Sequence, residues 1–87
     1  MDIRILGASC AKCRQLAANV ERAVRDLGLA VEITKVDDVA EMVRYGILAV
    51  PAMVVDGEVR SVGRVLTPDQ VKRILVSLVG QSRGPAD

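Results

Sequence analysis

Cys10 and Cys13 are the only cysteines in this 87-residue chain, set in the run Gly7-Ala8-Ser9-Cys10-Ala11-Lys12-Cys13. Two thiols at that spacing support two chemistries. They can cycle between dithiol and disulfide, or they can grip a soft metal such as Cu(I) or Zn as a pair of thiolates. The sequence contains no His, which removes histidine acid–base chemistry, catalytic triads and mixed Cys/His zinc sites. A purely structural bridge is a poor reading, because closing so small a loop restricts the unfolded chain very little. In a reducing compartment a lone CxxC points to catalysis or metal binding instead.

The chemistry depends on where the sulfurs sit. From Cys13 onward, Leu16, Ala17, Val20, Val24 and Leu27 trace one face of a helix. Arg14, Gln15, Asn19, Glu21, Arg22 and Arg25 take the opposite, solvated face. The helix is therefore predicted from about Cys10 to Leu27, with Gly28 as its stop. Cys10 falls at the helix start, where free N–H groups and the positive end of the dipole favour a thiolate. An ordinary thiol is only a few per cent ionised at neutral pH, so this matters for reactivity. Cys13 lies one turn on, on the apolar face, and is the more buried of the two. That asymmetry makes Cys10 the candidate nucleophile and Cys13 the resolving thiol. Ala11 and Lys12, between them, are candidate substrate contacts, and Lys12 adds positive charge.

The remaining elements must hold this junction in place. Residues 2–6 alternate apolar and charged and read as a strand, and Gly7-Ala8-Ser9 is a short loop. Residues 29–36 form a second, β-branched strand. Asp37-Asp38 caps a short helix carrying Val39, Met42 and Val43 and ending at Tyr45-Gly46. After the apolar connection 47–51, the strand 52–55, the turn Asp56-Gly57 and the strand 58–62 make a hairpin. Thr67-Pro68-Asp69-Gln70 is a capping box with proline at the first helical position. It opens a last helix with Val71, Ile74, Leu75 and Leu78 inward and a stop at Gly80. This predicts one domain over residues 1–80 and a flexible tail over 81–87. The order βαβαββα implies an α/β fold, a four-stranded mixed sheet flanked by helices.

Composition narrows the function further. The core must be aliphatic, since Trp and Phe are absent and Tyr45 is the only aromatic residue. A net charge of +1, with basic residues spread along the chain, argues against nucleic acid as a partner. No apolar run approaches a membrane span, and the first residues lack the pattern of a secretory leader. A cytoplasmic location is the expectation.

Val50-Pro51 separates the two chemistries. A proline opening a strand is common, but an X-Pro bond can also be cis, a geometry usually kept where a tight turn is needed. Small copper carriers usually have Met two residues before the first Cys, where this chain has Ala8. They also end on a strand, whereas this chain ends on the helix after Thr67.

Taken together, the CxxC at the first helix, Val-Pro some forty residues on, and the hairpin, Gly63 and final helix that follow resemble the thioredoxin fold over roughly residues 2–79. Within that fold the chain is similar to the small thioredoxin/glutaredoxin-like proteins, the group named redox-active disulfide protein 2. The resemblance implies a thiol–disulfide oxidoreductase with no metal and no cofactor. It implies that Pro51 is cis and faces Cys10 and Cys13, and that the Val50 backbone pairs with an extended stretch of substrate. It implies protein disulfides as substrates, a monomer, and a thioredoxin-reductase-type electron donor, because glutathione-binding features are not evident. The chain departs from the pattern in three places. Ala11-Lys12 replaces Gly-Pro or Pro-Tyr, Ser9 replaces the usual Trp, and the acid often found six residues before the first Cys is Arg4. Two alternatives stay open: a soft-metal thiolate carrier, and a redox-sensing module whose disulfide controls a partner.

Overall fold

In a computed structural model, which describes residues 1–7 and 10–83, the elements follow the predicted order. They are β1 (Asp2–Leu6), α1 (Ala11–Leu27), β2 (Glu32–Val36), α2 (Val39–Arg44), β3 (Ala52–Val55), β4 (Glu58–Val62) and α3 (Pro68–Arg83). Ala8 and Ser9 of the expected loop, and residues 84–87 of the expected tail, lie outside the described residues. The strands form one sheet in the order β2-β1-β3-β4. β1 runs parallel to β2, with Ile3 opposite Ile33, and antiparallel to β3, with Ile5 opposite Met53. β3 and β4 form the antiparallel hairpin. Its turn has positive φ at both Asp56 (50°) and Gly57 (84°), the mirror-image turn that matches strand twist.

Side chains alternate across the strands, so the sheet has two different faces. Ile3, Ile5, Met53 and Val55 point to one of them. There they pack with Leu16, Ala17, Val20 and Ala23 of α1 and with Val71 and Leu75 of α3, all buried. Leu6, Ala52 and Val54 point to the other face and meet Ile47, with Val36, Met42 and Tyr45 at the margin. Long-range polar contacts tie the first layer together. The Asn19 side chain donates to the Leu66 carbonyl at 2.8 Å, and Lys72 of α3 reaches Asp26 of α1 at 2.8 Å. The α3 cap closes reciprocally: Gln70 N–H donates to Thr67 Oγ1 at 3.2 Å, and Thr67 N–H to Gln70 Oε1 at 2.9 Å.

Two boundaries differ from the expectation, each for a local reason. β2 begins at Glu32 and not at Leu29, because Leu29 N–H is used to close α1. It donates to the Val24 carbonyl at 3.2 Å while Gly28 N–H bonds Arg25 at 3.1 Å. α3 runs through Gly80 to Arg83. A glycine inside a helix costs about 1 kcal/mol relative to alanine, but it stops a helix only by turning to positive φ, and Gly80 stays helical. Finally, Val39 and Val43 of α2 are not core residues. They are 73% and 71% exposed, and only Met42 turns inward. Positions four apart share a helix face, so in a six-residue helix both valines point outward together.

Candidate active site

β1 delivers the chain to α1 through Gly7, whose N–H bonds the Val36 carbonyl at 2.7 Å. Cys10 is the N-cap of α1, in extended conformation with φ −88° and ψ 160°. Its Sγ accepts from the Cys13 N–H at 3.1 Å, in the manner of an N-cap oxygen. No acidic residue occupies the first turn of α1, so nothing there opposes negative charge on that sulfur. Cys10 and Cys13 are joined as a disulfide, with Cα atoms 5.1 Å apart. Cys10 is exposed and Cys13 is wholly buried. One sulfur meets solvent while its partner is enclosed one turn behind.

Ala11 and Lys12 form the exposed first residues of the helix. Val50 and Pro51 arrive from the other side of the molecule, through the connection that follows α2. The Val50–Pro51 peptide bond is cis. Pro51 is buried and Val50 is 40% exposed. The Pro51 carbonyl is held by Gly63 N–H at 2.7 Å, which fixes the connection to the end of β4. The Val50 N–H and carbonyl have no hydrogen-bond partner among the described residues.

The connection closes on the cysteine junction at Gly7. A β-carbon on Gly7 would stand 2.7 Å from both Cβ and Cγ1 of Val50, and 3.1 Å from Cys13 Sγ. The first two distances are well inside ordinary carbon–carbon contact. Thus Cys13 and Val50 meet at one backbone point. Leu48, fully exposed, lies on the approach to this connection, and Val62, 40% exposed, at the end of the strand that Gly63 follows.

Gly7 and Gly63 are site residues that the sequence shows only as loop punctuation. Their signal was a glycine directly after a strand, but the partners they admit are about forty and a dozen residues distant. Arg4, at the position of the often-acidic residue, is half-buried and paired to Asp2 at 3.4 Å. Tyr45, and then Asp2, hold its guanidinium above the ordinary range. Among the described residues no buried side chain is polar or charged, and no group of three or more Cys, Asp or Glu could hold a metal ion. Among the described residues no helix is long and apolar enough to cross a membrane.

A family model described as thioredoxin domain matches residues 1–76. The chain belongs to the thioredoxin family. It is similar to a thioredoxin of Methanothermobacter thermautotrophicus, 37% identical over 75 residues, which covers 86% of this chain and 97% of that protein. It is also similar to a thioredoxin of Methanocaldococcus jannaschii, 36% identical over 75 residues, 86% of each chain. With its CxxC pair at disulfide distance on this fold, the chain is a thiol–disulfide oxidoreductase.

Proposed function

We propose that this thioredoxin-family chain reduces disulfides in protein substrates, as a monomeric single domain in the cytoplasm. The observation that carries the reading is the unequal pair: exposed Cys10 at the cap of α1, bonded to enclosed Cys13. In the reduced protein, the Cys10 thiolate attacks one sulfur of a substrate disulfide. A Cys10–substrate mixed disulfide forms and the first substrate thiolate leaves. The Cys13 thiolate then attacks Cys10 Sγ, forms the internal disulfide and expels the second substrate thiolate. Two electrons pass from the dithiol to the substrate, and the released thiolates take protons from solvent. A donor of the thioredoxin-reductase type returns two electrons to the internal disulfide.

Val50 and Pro51 shape the substrate site in this reading. The unpaired backbone groups of Val50 suit an extended segment laid alongside them. Ala11 and Lys12, exposed beside Cys10, are further substrate contacts in this reading, with Lys12 favouring acidic residues near the substrate disulfide. Reduction of insulin disulfides in the presence of dithiothreitol tests the proposal. The wild type is expected to precipitate the insulin B chain rapidly and Cys10→Ser to add nothing over dithiothreitol. Equal inactivity of the two proteins would remove the reading.

A further inference from the structure

We propose that Gly7 is a positioning residue for the second step of exchange, registering the resolving sulfur of Cys13 against Val50. This rests on the disulfide-exchange reading given above. Gly7 is buried at the end of β1, with φ +86°. Its missing side chain leaves room for two groups that arrive from separate parts of the chain. Val50 Cβ and Cγ1 lie 2.7 Å, and Cys13 Sγ 3.1 Å, from the place a β-carbon would take. Both therefore take their position from the same backbone atom, itself pinned to β2 by the bond to Val36.

The geometry matters because the mixed disulfide holds the substrate beside Val50 while Cys13 waits behind Cys10. The substrate lies along Val50 while its sulfur is bonded to Cys10. Cys13 must then attack Cys10 Sγ in line with the bond to the departing substrate sulfur. A displacement of Val50 relative to Cys13 misaligns that attack, and misplacement by about 1 Å can slow a step by as much as a hundredfold. The first step is bimolecular at the exposed Cys10 and does not need Cys13 in register. Gly7 is thus expected to influence resolution far more than initial attack.

The φ value offers a competing, purely conformational reason for glycine here. The two reasons separate in a double-mutant cycle. Gly7→Ala, Val50→Gly and the double variant are reduced, mixed with a disulfide peptide, acid-quenched and analysed by mass for mixed disulfide and internal disulfide. With Gly7→Ala, the mixed disulfide is expected to accumulate, with resolution slowed roughly ten- to a hundredfold and initial attack within about twofold of wild type. In the Val50→Gly background, which removes both 2.7 Å contacts and leaves only the looser 3.1 Å approach to Cys13 Sγ, adding Gly7→Ala is expected to slow resolution much less than it does in the wild type.

If both steps slow equally, or the loss is as large in the Val50→Gly background, backbone conformation alone explains the glycine and the proposal fails. A folded Gly7→Ala protein with wild-type resolution overturns it as well. Should Gly7→Ala fail to fold, the double variant decides. Folding with the resolution rate of Val50→Gly supports the proposal, and failure to fold overturns it. Absence of mixed disulfide in the wild type and in Cys13→Ser would instead count against the exchange reading itself.

Discussion

The two faces of the sheet are built very differently, and the site takes one half from each. One face lies under α1 and α3, where a continuous layer of Ile, Leu and Val side chains is fully buried. The other meets Ile47 and Tyr45 of the connection after α2, and from α2 itself, a helix of six residues with none of them buried, only Met42. Cys10 and Cys13 are mounted on the first layer, through α1. Val50 and Pro51 belong to the connection that follows α2. The two sulfurs therefore sit on the well-packed part of the molecule, and the segment proposed to meet substrate follows the short helix of the other face.

The largest effects should appear on the sulfur side. Cys10→Ser is expected to abolish disulfide exchange, whereas Cys13→Ser should retain initial attack and hold substrate as a mixed disulfide, detected by mass after acid quench. In the reduced protein, iodoacetamide should label Cys10 well before Cys13 at neutral pH, because the cap position favours the Cys10 thiolate. Equal labelling would mean that the helix terminus does not distinguish the sulfurs.

Stability should then divide the faces. Leu16→Ala, under α1, is expected to cost about 2–5 kcal/mol in a denaturant titration. Val39→Ser on α2 should fall within about 0.5 kcal/mol of wild type, being an exposed position. Similar losses at the two sites would break the comparison. Thr67→Ala, which removes the cap of α3, should cost about 1 kcal/mol.

The smallest effect concerns Asp26. The hydrogen bond from Lys72 holds its carboxyl below the usual range. A depressed folded-state value stabilises the fold above the unfolded carboxylate pKa, and that stability is lost as pH falls through the folded value. Lys72→Met should therefore lower the melting temperature slightly at pH 7 and less so in strong acid. The side chains are 30% and 40% exposed, so solvent screens the pair.

Much of this fold is legible in the sequence. The apolar spacing from Cys13 to Leu27 placed α1 within a residue of its observed start and at its observed end. Asp56-Gly57 marked the hairpin, and Thr67 with Gln70 marked the start of α3. Each of these signals involves residues within a turn or two of one another. The misreadings arose where a local signal had two outcomes. Gly80 stays inside α3, and Leu29 is drawn into the cap of α1. A helical pattern says which residues share a face, but not whether anything covers that face.

What the sequence determined by itself was the chemistry and its local setting: two thiols at the head of an amphipathic helix, with a proline far along the chain. What only the tertiary structure decided was the meeting of Gly7, Cys13 and Val50, and the anchoring of Pro51 by Gly63. The reason is physical. Caps, turns and helix faces are set by interactions between neighbours in the chain. An approach of 2.7 Å between Val50 and the place of a missing side chain on Gly7 depends on how the whole sheet brings two distant segments together.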